Sequence, residues 1–207
     1  MKKTGIRMFI GMFIKRSLFL RFCLPVLCWP LAYSCASRSG AEQLQQTIGS
    51  RLEFPTRLAA RTMDRDTMLS CRDTSASAKV LVYYNAEGCT PCRLKQLFEW
   101  HALMQDLGAA DSTCRFLYLL NTSATTVDEI EVALYGSRFD YPVFLDTAGV
   151  FERSNPGLPA NPVFHTFLLD RENRVVLVGS PIGNPKMWEL YKSTISRLVA
   201  NGGTLPQ

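Results

Sequence analysis

The chain has 207 residues, 47% of them apolar and 20% charged, which is enough to close a full hydrophobic core and too apolar for a disordered chain. Its formal net charge of +5 is concentrated at its start: residues 1–34 hold Lys2, Lys3, Arg7, Lys15, Arg16 and Arg21 and no acid, leaving 17 of the 23 basic residues against 18 acidic ones. The remainder is close to neutral and has no electrostatic footprint for nucleic acid, which is excluded as a partner.

Residues 1–34 have the layout of an export signal, with a basic region, an apolar run from Phe22 to Tyr33, and small residues at Ser34-Cys35-Ala36-Ser37. The apolar run is about 12 residues, short for a bilayer span, and Pro25 and Pro30 break it as an anchor helix. Two cuts compete at one bond. Ala32-Tyr33-Ser34 fits the small-x-small rule of ordinary signal cleavage, whereas Ser34-Cys35 resembles a bacterial lipoprotein site with Ala32 in the usual leucine position. We take the lipoprotein reading, because a cysteine directly after an export core calls for a reason. Cys35 then carries the lipid, the membrane is reached through that anchor, and the protein faces the periplasm. The expected organisation is a signal peptide over 1–34, a tether and extension over 35–66, and one domain over 67–207.

Residues 36–40 are small and polar, as suits a tether. Leu44, Ile48 and Leu52 at helical spacing predict a short helix ended by Phe54-Pro55. Residues 56–71 interleave Arg57, Arg61 and Arg65 with apolar residues and read as a charged, solvated element leading to an edge strand near Met68–Cys71. A nearly unbroken apolar run over Lys79–Asn85 predicts a central strand covered on both sides. After Pro91, an apolar stripe through Leu94, Leu97, Phe98, His101, Met104 and Leu107 predicts a helix ending near Gly108, with His101 a core or boundary histidine. Strands follow at 115–121 and 139–146, separated by a helix that begins near Thr125. Residues 155–162 are a loop, 164–170 and 174–179 a hairpin, and 185–199 a closing helix with Pro185 at its start. Alternating β and α units followed by an antiparallel pair predict an α/β fold, a mixed sheet with helices on both faces.

The chemistry is concentrated in Cys89-Thr90-Pro91-Cys92, directly after the predicted central strand. A thiol at a helix start is acidified by the unpaired N–H groups and the helix dipole, so Cys89 is the expected attacking thiolate and Cys92 the resolving thiol. The same pair also fits a structural disulfide or half of a metal site. Zinc is set aside because there is only one close pair of cysteines, and no metal or cofactor is called for. Cys71 and Cys114 are free thiols or a second disulfide, and the sequence does not choose between them.

From Val80 to Arg93 the chain resembles the thioredoxin-like proteins, in particular exported bacterial TlpA-like redoxins, in a strand, a turn, Cys-x-Pro-Cys and a basic residue. Thr166-Phe-Leu-Leu-Asp170 with Val175–Gly179 resembles the hairpin of the same family, and the leader resembles thioredoxin-like lipoproteins of the Bacteroides group. The resemblance implies a thioredoxin-like fold and thiol–disulfide exchange through Cys89 and Cys92 with a protein or small-molecule disulfide or dithiol. Thr90 and Pro91 would tune the potential. Departures point to the alternative of a redox-inactive accessory lipoprotein with a structural disulfide. Gly88 stands where the family often has Trp, Tyr83 where thioredoxins bury an Asp, and Lys95 where TlpA-like proteins carry Glu. The family's cis-proline before the Thr-Phe strand aligns with Phe164, with Pro162 two residues early. His165 beside it is either a partner for the Cys89 thiolate or an exposed histidine at the start of the strand.

Overall fold

The computed structural model describes residues 40–63, 65–70, 76–86, 95–107, 113–123 and 127–206. The export signal, Cys35, Cys71 and the segment containing Cys89, Thr90, Pro91 and Cys92 lie outside these residues. The chain divides into two compact units, residues 1–43 and 44–207. Of the first, the described residues 40–43 are helical, and the second opens on a helical turn at 44–47.

The second unit is built on a seven-stranded mixed sheet. Its strands are β1 (Leu58–Arg61), β2 (Asp66–Leu69), β3 (Ala78–Tyr84), β4 (Cys114–Asn121), β5 (Val143–Asp146), β6 (Thr166–Asp170) and β7 (Val175–Val178). They lie in the order β2-β1-β5-β4-β3-β6-β7. β3 runs parallel to β4 and β4 parallel to β5, while the remaining pairs are antiparallel. All seven side chains of β3 are buried, which is why its sequence reads as a continuous run of Val, Leu and Tyr and not as an alternation.

The helices are α1 (Glu99–Asp106), preceded by a 3-10 turn at Lys95–Phe98, α2 (Val127–Ser137), α3 (Val150–Ser154) and α4 (Pro185–Ala200). One face of the sheet, through Val80, Val82 and Tyr84, packs on Leu97, on Trp100 and Met104 of α1, on Leu134 of α2 and on Tyr191 and Leu198 of α4. The other face, through Leu81, Tyr83, Leu119 and Phe167, packs on Leu52, Phe54 and Phe151 of α3. The architecture is the expected mixed sheet with helices on both faces.

Besides the N-terminal helix, which ends at residue 47 and not at Phe54-Pro55, four local features differ from the sequence reading. Leu58–Arg61 is a strand inside the sheet, paired with both β2 and β5, where a solvated element was expected. Its arginine is held by charge, since the Arg61 guanidinium donates to both Asp66 carboxylate oxygens at 2.6 Å and to Glu131 of α2 at 2.8 Å. The strand expected over 139–146 shortens to Val143–Asp146 because Arg138 turns left-handed (φ 50°) and Phe139 N–H closes back on the Leu134 carbonyl at 3.0 Å. Arg138 and Phe139 therefore form the turn that closes α2. The expected stripe keeps Leu97 and Met104 buried, but Trp100 joins it and Phe98 is 57% exposed. A 3-10 turn has three residues per turn, so it turns its side chains out of register with a 3.6-residue stripe. The fourth is α3, a helix that nothing in the composition of 150–154 announces. Asp146 creates it by accepting hydrogen bonds from Val150 N–H at 2.9 Å and Phe151 N–H at 2.8 Å.

Candidate functional site

The Cys-x-x-Cys segment occupies the connection between Tyr84, the last residue of β3, and Lys95, the first of the 3-10 turn. What the structure describes around that connection is the carboxyl end of β3 and the two loops beside it. In α/β sheets this end of the parallel strands is where ligand crevices form.

The loop before β6 is fixed from within. Asn161 caps a 3-10 turn at Pro162–Phe164, its side-chain oxygen accepting from Val163 N–H at 3.0 Å, with Pro162 at a position that needs no donor. His165 N–H donates to the Pro162 carbonyl at 3.1 Å, and the His165 carbonyl accepts from Tyr83 N–H at 2.9 Å, which continues the β3–β6 ladder toward the site. Among the described residues no peptide bond is cis. The second loop follows β7, where Gly179 (φ 118°) is pinned by its N–H to the Thr166 carbonyl at 2.8 Å and by Tyr191 Oη donating to its own carbonyl at 2.9 Å.

Between these loops, β3 and α1 lies a cavity of about 180 Å³, bordered by Val82, Trp100, Pro162, Val163, His165 and Ile182. Pro162 and His165 thus reach the cavity, while Phe164, half-buried in the same turn, does not line it. The His165 side chain is buried, packed against Tyr83 at 5.3 Å and Phe167 at 6.5 Å, and its Nε2 lies 2.7 Å from the Pro159 carbonyl.

Tyr83 is buried on the face of the sheet opposite α1. Its hydroxyl donates to Glu152 Oε2 of α3 at 2.9 Å, and the Asn121 amide approaches the same oxygen at 3.5 Å. Burial, followed by the hydrogen bond to Glu152, raises the Tyr83 pKa and keeps the hydroxyl protonated as a donor. This pair was not legible in sequence because Glu152 is 69 residues from Tyr83. Trp100, Val163 and Ile182 were also missed. Only Trp100 carried a signal, as a large aromatic three residues after the buried Leu97.

Cys114, the first residue of β4, is a free thiol, 1% exposed, with its pKa pushed up to about 12 by burial. Among the described residues no three His, Cys, Asp or Glu side chains converge as a metal site, and no helix is long and apolar enough to cross a membrane.

Known structures superpose on this arrangement across most of the chain. The thioredoxin domain of a thiol-disulfide oxidoreductase from Bacteroides vulgatus matches with a TM-score of 0.52 and 11% identity, over 72% of this chain and 97% of its own. Peroxiredoxin Q from Xanthomonas campestris, as a Cys-to-Ser mutant, matches with a TM-score of 0.51 and 16% identity, over 71% of this chain and 99% of its own. The fold is thioredoxin-like. In this thioredoxin-like fold the described cavity stands at the end of the central strand that leads into Cys89. No protein-family model matches the chain, and no curated protein matches it.

Proposed function

We propose that the protein is an exported thiol–disulfide oxidoreductase, tethered to the periplasmic side of a membrane through a lipid on Cys35, that exchanges disulfides through Cys89 and Cys92. The observation that carries this reading is the position of Cys89-Thr-Pro-Cys92, which directly follows the central strand of a thioredoxin-like fold. In the reducing direction the Cys89 thiolate attacks one sulfur of a substrate disulfide, forming a mixed disulfide and releasing the other sulfur as a thiolate. The Cys92 thiol then gives up its proton and its sulfur attacks Cys89. The second substrate sulfur leaves as a thiolate, and the chain is left with a Cys89–Cys92 disulfide, two electrons having passed to the substrate. A dithiol donor returns the pair to the reduced state, and the reverse sequence oxidises a substrate dithiol.

A redox titration with an insulin-type reductase assay on the wild type and on Cys89→Ser tests the mechanism. Activity is expected to vanish in the variant, and activity that survives overturns the scheme. A Cys89 thiol titrating near the unperturbed ~8.5, with a disulfide that resists cellular reductants, would mark an accessory protein with a structural disulfide. The anchor is tested separately: Cys35→Ser is expected to move the protein from the membrane fraction to the soluble fraction.

A further inference from the structure

The amino end of β3 carries a surface of its own. Ala78, the first residue of β3, pairs with Asp170, so the turn between β6 and β7 stands at that end of the sheet. Residues 48–49 lie against the hairpin through Gly49 N–H to the Val175 carbonyl at 2.8 Å, and the C-terminal stretch does so through Arg171 N–H to the Gly203 carbonyl at 2.8 Å. Between them opens a groove of about 530 Å³, bordered by Ile48, Val176, Leu205, Thr204, Glu172 and Arg174. The surrounding surface is apolar and basic. Ile48 is 51% exposed, Val199 in the last turn of α4 is exposed as well, and Arg51, Arg171, Arg174 and Arg197 all stand in solvent. Two of these charges are answered, Arg174 by Glu172 at 3.4 Å and Arg51 by Glu53 at 4.0 Å. A third acid, Asp170, is buried and accepts from Arg174 N–H at 2.8 Å. Arg171 and Arg197 have no ion pair among the described residues and leave this end with excess positive charge.

We propose that this end of the unit is a membrane-docking surface, seated on the headgroups of anionic phospholipids through Arg171 and Arg197, with Ile48 and Leu205 against the interface. The proposal rests on the lipid anchor of the reading above. Cys35 stands nine residues before Leu44, where the unit begins, and nine residues reach at most about 30 Å. A lipid on Cys35 therefore keeps this end, and its unpaired arginines, within reach of the bilayer. Negative headgroups supply the counter-charge that the protein does not. The seven residues of β3 carry the chain about 20 Å from Ala78 to Tyr84. Docking by the amino end thus turns the strand end that leads to Cys89 away from the bilayer, toward partners in the periplasm.

The test footprints arginines with phenylglyoxal and mass spectrometry. The lipid-bearing protein is placed in vesicles of phosphatidylcholine alone, or of phosphatidylcholine mixed with phosphatidylglycerol. Arg153, exposed on α3 beyond the carboxyl end of β5, is the internal reference. Arg171 and Arg197 are expected to react about fivefold more slowly on the mixed vesicles, with Arg153 unchanged. Co-sedimentation of the Cys35→Ser chain, which lacks the anchor, measures the surface by itself. Each basic contact with an anionic surface contributes about fivefold, so adding Arg171→Gln and Arg197→Gln is expected to weaken binding to the mixed vesicles about 25-fold. Arg153→Gln is expected to leave it unchanged, and far-UV circular dichroism checks that the variants fold. Equal labelling of Arg171 and Arg197 on both vesicle types, or co-sedimentation that the double substitution does not alter, would overturn the docking surface. Failure of the anchor is distinguishable. A chain whose intact mass shows no lipid on Cys35, but whose co-sedimentation still depends on Arg171 and Arg197, keeps the surface and loses the tether.

Discussion

Lys79 is fully buried, and its ammonium donates to the Arg171 carbonyl at 2.7 Å, to Asn173 Oδ1 at 2.8 Å and to the Asp170 carbonyl at 3.2 Å. A lysine inside a sheet is tolerated because these three oxygens replace water, and in return it fastens the turn of the β6–β7 hairpin to β3. Lys79→Met keeps the stem but leaves three acceptors without their donor. A loss of about 3 kcal/mol is expected in urea unfolding. Cys114 gives a second test at this scale. With its thiol pushed up to about 12 by burial, the thiolate fraction at pH 8 is roughly one in ten thousand. Native protein treated with iodoacetamide at pH 8 and mapped by mass spectrometry is therefore expected to show Cys114 unmodified, with labelling only after unfolding.

Among the elements, the β1–β2 hairpin depends on charge and α3 on a cap. Asp66 is exposed, and its hydrogen bond to the Arg61 guanidinium lowers its pKa below the ordinary 3.8. A carboxylate whose pKa is depressed in the folded state stabilises that state above its unfolded value and loses the contribution as pH falls through the folded one. Acid titration of stability is thus expected to show a loss that begins near pH 4 and deepens below it, with Asp66→Asn flattening that limb. Asp146→Ala removes both side-chain bonds at the start of α3 and is expected to cost about 1–2 kcal/mol in thermal or urea unfolding. The strands β3, β4 and β6 were legible in the sequence because burial on both faces writes them as apolar runs. α3 was not, because its cause is a single aspartate accepting from two N–H groups and a left-handed Gly149. The same limit applies at the site. The loop before β6 was legible from Asn161 and Pro162, but the cavity is made by Val82, Trp100, Val163 and Ile182, which only the sheet order brings together.

For the whole unit, the two cores are the two sides of one sheet and share β3, β4 and β6, whose backbone ladders serve both. Phe151→Ala on one side and Trp100→Ala on the other each open a cavity costing about 3–5 kcal/mol. Because the strands are common, both variants are expected to shift one cooperative transition, with near-UV and far-UV circular dichroism coinciding. Two separated transitions would show that the faces melt independently.

At the start of the edge strand β7, residues 49–52 pair alongside the hairpin through Gly49 N–H to the Val175 carbonyl at 2.8 Å, Val175 N–H to the Ser50 carbonyl at 2.9 Å and Leu52 N–H to the Asn173 carbonyl at 2.9 Å. These three bonds are the first stretch of ladder met by a pull applied from the N-terminal side of the unit. Tension from that side would load this seam before it reached β3, which lies two strands further in.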